Sequence, residues 1–160
     1  MVKTVLFILA FLAFVVGLRA LICPSQYTQV GEKCLYVSRN KVNWNAAARQ
    51  CRKLGGSLLV FDNEVEVIIT TAHLLNVGVS FNDSWRSSVW VGIDALENDH
   101  KFILSKTGDA IFYPYWAKNQ PSSNKNEKCG GFANYGSWGY FNNACSYSAL
   151  FVCEARGYYP

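Results

Sequence analysis

The sequence predicts an α+β fold, with two helices in the first half, a β-rich second half, one long irregular loop and three disulfides. Three observations carry that expectation. Six cysteines, at 23, 34, 51, 129, 145 and 153, all follow an apolar N-terminal segment. Two stretches between Asn43 and Gly78 carry helix-start and helix-stop signals. Beyond Ser88 the chain breaks into short apolar runs separated by Gly, Pro, Asn and Ser.

The chain has 160 residues, a length that suits one domain with a core of its own. Its first residues, MVKTVLFILAFLAFVVGLRA, place Lys3 before an uncharged run from Val5 to Leu18, followed by small residues at Gly17 and Ala20. That order is a secretory signal peptide, with cleavage after Gly17 or Ala20. The run falls short of the about 20 apolar residues that cross a bilayer, so no membrane span is expected. Residues 1–20 are assigned to the signal and 21–160 to a single secreted, extracellular domain. Removing the signal takes away Lys3 and Arg19, and the formal charge falls from +4 to +2. So small a charge excludes the basic field of a nucleic-acid binder. The densest cations, Arg49 to Lys53, read as a solvated helix face.

An even cysteine count in a secreted chain argues for disulfides, and composition leaves their partners open. Zinc is disfavoured, because the sequence has no Cys-x-x-Cys pair and only His73 and His100 to assist.

Taken in order, PSQYTQVGEKCLYVS reads as a hairpin around Gly31. Asn43 can cap a helix through WNAAARQCRKL, where Trp44, Ala47, Ala48, Cys51 and Leu54 recur at helical spacing and Gly55-Gly56 ends the run. SLLVF is a short strand. Asp62 or Asn63 can cap a second helix through EVEVIITTAHLLNV, with Glu64 and Glu66 favourable in its first turn and Gly78 as its stop. The β-branched content of that segment also suits a strand. SVWVGI reads as a buried strand, KFILSKTGDAIFYPYW as short strands and turns, and ALFVCEA as a returning strand. Between them, Ala117 to Ser137 shows no periodicity, and Cys129 tethers it.

The segments CPSQYTQVGEKCLY, AAARQCRKLGGSLLVF, WVGI, YWAKNQP and NNACSYSALFVCEA follow one another in the order and spacing of the C-type lectin domain. The chain resembles that family over residues 23–155, in its long secreted form known from invertebrate lectins. The resemblance implies two helices with antiparallel sheets, and it implies disulfides Cys23–Cys34, Cys51–Cys153 and Cys129–Cys145. It also implies carbohydrate binding through a calcium ion held by two groups of side-chain oxygens. One group is a Glu-Pro-Asn or Gln-Pro-Asp tripeptide with an acid before the next cysteine. The other is a Trp-Asn-Asp triplet before the fifth cysteine.

Carried onto this chain, the first group becomes Gln120-Pro121-Ser122 with Glu127, and the second becomes Tyr140-Phe141-Asn142. Gln120 and Glu127 match, and Gln120 resembles the galactose-type tripeptide. Ser122 replaces an acid or amide, Phe141 replaces an Asn, and Asn142 replaces an Asp. One carboxylate therefore remains where the galactose-type site has three, and calcium affinity falls with each one lost. A register slipped by one, reading Asn142-Asn143 as the Asn-Asp pair, restores an oxygen but no acid. The accessory calcium site is poor as well, with Ala95, Ser123 and Lys128 near positions where acids are usual.

The ligand-binding candidates are thus Gln120, Ser122, Glu127 and Asn142, with no resident cofactor and at most weak calcium. Trp138, Tyr140 and Phe141 either offer an aromatic face to a sugar or pack in the core. The partner is a glycan or glycoprotein; the alternative is a protein ligand met without metal by the polar WAKNQPSSNKNEKC loop. An enzyme is not expected, since neither His73 nor His100 accompanies a nucleophile motif, and Asp94, Glu97 and Asp99 beside His100 read as an exposed turn. Asn82-Asp83-Ser84 is a glycosylation acceptor at Asn82.

Overall fold

The computed structural model describes residues 21–97 and 100–160. Residues 1–20, expected from the sequence to be a signal peptide, and Asp99 lie outside the described residues.

Among the described residues, ten elements follow in chain order. Strands β1 (Thr28–Val30) and β2 (Lys33–Val37) form the expected hairpin, with Gly31 at a φ of 60° in its turn. Helix α1 (Trp44–Lys53) starts where the Asn43 side chain accepts the Ala46 N–H, and buries Trp44, Ala47 and Cys51. Gly55, at a φ of 80°, ends it in a left-handed cap that L side chains adopt only with strain. Strand β3 covers only Ser57–Leu58; the rest of the SLLVF run is buried without a regular strand.

Helix α2 (Glu64–Asn76) settles the helix-or-strand ambiguity of the EVEVII segment. Asn63 accepts the Glu66 N–H, and the Glu66 carboxylate accepts the Asp62 N–H, so two orphan donors are met at the helix start. These caps outweigh the β-branched residues, of which Val67 and Thr70 face inward. Then come β4 (Ser88–Asp94), β5 (Ile103–Leu104), β6 (Cys129–Asn134), β7 (Trp138–Asn143) and β8 (Leu150–Ala155).

Strand β6 falls inside the stretch read from sequence as irregular. Its Gly130-Gly131 step resembles a turn but is a close-packing device. A Cβ on Gly130 would sit 2.1 Å from Ile93, and one on Gly131 would sit 2.5 Å from the Phe141 ring. Only glycine lets β4 and β7 approach so closely on either side.

The sheet runs β1-β2-β8-β4-β6-β7, with β3 on β8 and β5 on β4. Strand β8 is the seam. It pairs antiparallel with β2 and β3 and parallel with β4 through Val89↔Leu150 and Trp90↔Phe151. Two buried clusters flank it. One gathers Leu59, Phe61, Val89, Val91, Ile93, Phe132 and Tyr140; the other gathers Trp44, Cys51, Trp90, Phe151 and Cys153. Both buried indoles find acceptors, Trp44 Nε1 on Val91 O at 2.9 Å and Trp90 Nε1 on Val42 O at 3.0 Å.

The three disulfides are Cys23–Cys34, Cys51–Cys153 and Cys129–Cys145, the pairing the resemblance implies. Cys51–Cys153 joins α1 to β8 across 102 residues, and such a closure stabilises by about 4–5 kcal/mol in the chain-entropy picture.

Candidate functional site

The loop from Ala117 to Lys128 folds back onto β7, and Cys129–Cys145 fixes its far end beside the end of that strand. Antiparallel pairing sets Cys129 opposite Asn143, Gly130 opposite Asn142 and Gly131 opposite Phe141. This register brings Asn142 under the loop.

Gln120, Ser122, Glu127 and Asn142 meet there in one hydrogen-bond network. Asn142 Oδ1 accepts the Ser122 N–H at 2.6 Å, while its Nδ2 donates to Ser122 O at 3.2 Å and to Glu127 O at 3.0 Å. Gln120 Oε1 accepts from the backbone N–H of Ser122 at 3.2 Å and of Asn142 at 3.4 Å. Ser122 Oγ donates to Glu127 Oε2 at 2.5 Å. The Gln120–Pro121 peptide is cis.

His100 belongs to this network, although its sequence context reads as an exposed turn. It is half-buried, and its Nε2 donates to Ser122 O at 2.5 Å. A carbonyl can only accept, so Nε2 carries a proton in this contact, and Nδ1 is buried without a partner among the described residues. The imidazole edge packs on Phe102, which packs on Trp116. The loop is thereby held from below by the segment between β4 and β5.

A cleft of about 420 Å³ opens over the network, walled by Trp85 and Tyr135 and floored by Phe141, Asn142 and Asn143. The Arg86 guanidinium lies 4.3 Å over the Trp85 ring, and Tyr135 is exposed. Neither Trp85 nor Tyr135 stands out in the sequence. Trp85 closes the FNDSW segment, and nothing in its local pattern marks it as a cleft wall.

Of the three aromatics named from the sequence, Tyr140 and Phe141 are buried, Phe141 while still lining the cleft, and Trp138 is half-buried against the core. Tyr140 is fully buried and accepts the Phe61 N–H at 2.8 Å; burial pushes its phenol above the ordinary range. Phe141 is 1% exposed, with its ring over Gly131, and Trp138 stacks on Phe132. Asn143 turns its Oδ1 to the Ala144 N–H, and its Nδ2 is buried without a partner among the described residues. Asn82 is exposed on the segment before β4. His73 lies on α2, where burial lowers its pKa.

The sequence profile of the lectin C-type domain matches residues 40–155. The chain belongs to the C-type lectin domain family. It is 27% identical to a perlucin-like protein of Mytilus galloprovincialis over 111 residues, covering 69% of this chain and 67% of that protein. It is 28% identical to C-type lectin domain family 3 member A of Mus musculus over 127 residues, covering 79% of this chain and 62% of that one. Among solved structures, a calcium-independent type II antifreeze protein superposes with a TM-score of 0.71 at 20% identity, over 89% of this chain and all of that one. The carbohydrate-recognition domain of the mouse scavenger receptor C-type lectin gives 0.69 at 23% identity, over 84% and 96% of the two chains. These structural likenesses establish the fold.

The calcium ion that the family's sugar site implies does not fit this donor set. Calcium takes six to eight hard oxygens, with carboxylates dominating affinity. Glu127 is the one carboxylate of the network, and its Oε2 is engaged by Ser122 Oγ. The amide oxygens of Gln120 and Asn142 face backbone N–H groups, and Phe141 offers no side-chain oxygen. Among the described residues no cluster of three or more His, Cys, Asp or Glu is placed to hold a metal.

Proposed function

We propose that this C-type lectin domain is a secreted carbohydrate-binding protein whose cleft over Gln120, Ser122, Glu127 and Asn142 works without a resident calcium ion. The observation that carries the reading is the closed network itself. Three of the oxygens that would hold a metal, Gln120 Oε1, Asn142 Oδ1 and Glu127 Oε2, are bonded to N–H and O–H groups of the same loop and strand. Amides, a hydroxyl and a carboxylate at one cleft mouth match the donor and acceptor pairs of vicinal sugar hydroxyls. Tyr135 and Trp85 add apolar ring surface of the kind that packs on the C–H face of a pyranose. Gln120 is the feature that favours a galactose-type sugar. The likeness to a calcium-independent antifreeze protein supports a metal-free use of this fold.

A glycan array run with calcium and with chelator tests this, alongside calorimetric titration of calcium into the domain. The expected result is glycan signal that survives chelation and falls at least tenfold in Glu127→Gln. Signal abolished by chelator would restore a calcium-dependent site. No glycan signal under either condition would favour a second reading, in which the polar, exposed loop 117–128 contacts a protein partner as a surface tethered by Cys129–Cys145.

A further inference from the structure

A second cavity, of about 360 Å³, shares no lining residue with the cleft. It lies between α1, β3 and the turn after β5. We propose that it is a binding site for an anionic group, a sulfate ester or carboxylate, carried on a ring.

The ring would lie on Trp44, Ala48 and Leu58, which line the cavity. The Trp44 N–H is already given to Val91 O, so the indole offers this cavity only apolar surface. Two cations, Arg52 and Lys106, line it too, and no acid does. Both are exposed, and neither has an ion-pair partner among the described residues. Arg52 comes from the basic run that the sequence assigned to a solvated helix face. Its fork of N–H groups suits the paired oxygens of a sulfate or carboxylate.

Ser57, also in the lining, has its hydroxyl buried with no partner among the described residues. An orphaned buried hydroxyl is costly, and an anionic oxygen in the cavity would satisfy it. Cations without acids, an apolar wall and an orphaned hydroxyl together select an anion with a flat body over a neutral or cationic ligand.

Titration of 4-nitrophenyl sulfate, followed by the Trp44 indole N–H resonance and by calorimetry, tests the site. A heparin-derived octasaccharide forms a parallel arm, and 4-nitroanisole supplies the same ring without charge. The expected result is saturable binding of the aryl sulfate that weakens with added salt and falls at least tenfold in Arg52→Gln/Lys106→Gln. Ser57→Ala, which only deletes the orphaned hydroxyl, should weaken it about threefold. Binding of the octasaccharide alone, lost in the double variant, would support the site and assign the anion to a glycan chain. The proposal is overturned if neither probe binds, if the double variant binds within twofold of the unaltered protein, or if 4-nitroanisole shifts Trp44 equally. Both cations are exposed, so the double variant keeps the fold, which circular dichroism checks.

Discussion

Replacing Lys33 by Met tests how one half-buried ammonium joins the first hairpin to the rest of the domain. Its Nζ lies 3.0 Å from carboxylate oxygens of Asp62, Glu66 and Glu154 and donates to Val60 O at 2.5 Å. Strand β2, the start of α2 and strand β8 thus meet on a single charge. Burial alone would lower the pKa of Lys33, yet its three acidic neighbours more than offset this and hold it above the ordinary lysine range. Burial raises the pKa of Glu154, against the pull of Lys33.

Met keeps the apolar stem and removes the charge, leaving Glu154 buried beside two other acids. Breaking a buried pair costs about 3–5 kcal/mol, and because Asp62 is 55% exposed the low end applies, about 3 kcal/mol. With an unfolding entropy of about 0.3 kcal/mol/K for a domain of this size, the midpoint falls by about 10 °C. The pH dependence has a definite sign. Lys33, raised when folded, contributes fully below its unfolded value of 10.5, so its role is intact at neutral pH. Glu154, also raised, gains folded-state stability from protonation that is complete below 4.5 and lost as pH rises through its folded value. Removing Lys33 raises Glu154 further, so the penalty is largest at pH 8 and shrinks toward pH 5. Thermal unfolding at both pH values, with disulfides intact, reads the effect. A midpoint within 2 °C of the unaltered protein at pH 8, or equal penalties at both pH values, would refute the reasoning.

Gly131→Val places a Cβ 2.5 Å from the Phe141 ring, and overpacking of about 1–3 kcal/mol should appear as a lower urea midpoint. His100→Ala removes the donor to Ser122 O; hydrogen exchange across residues 117–128 should accelerate at least tenfold, with His100→Gln recovering part of the protection. The pair Cys129→Ser/Cys145→Ser opens a closure of 16 residues and should cost about 3 kcal/mol in unfolding free energy while leaving the helices' far-ultraviolet signal intact.

The helices were legible because their start signals are local. Asn43 and Asn63 each act within three residues of their own position, so no tertiary knowledge is needed to place them. Four of the cleft residues, Gln120, Ser122, Glu127 and Asn142, were legible only through the resemblance to the C-type lectin domain, whose motif positions fall on them. Strand β6 was hidden because Gly130 and Gly131 carry a turn's signature, and their purpose, close approach to Ile93 and Phe141, exists only after the sheet forms. His100, Trp85 and Tyr135 reach the cleft from three separate segments, and Lys33 finds its acids at 62, 66 and 154. No periodicity encodes such long-range meetings. The fate of Tyr140 and Phe141 was equally opaque, because an aromatic beside a loop has the same local pattern whether it faces a ligand or the core.

The closed network bears on how strongly the proposed cleft can hold a sugar. A hydroxyl that meets Asn142 or Ser122 must displace a bond already made, such as Asn142 Nδ2 to Ser122 O or Ser122 Oγ to Glu127, and the exchange of one hydrogen bond for another yields little net free energy. A metal would escape this balance by bringing new charge, but the donor set does not match one. Beyond the unpartnered Asn143 Nδ2, the surplus then comes from ring surface on Tyr135 and Trp85, where burial adds favourable energy without breaking a protein bond. The consequence is weak monovalent binding governed by the aromatic walls, so truncating Tyr135 should lower affinity more than replacing Gln120.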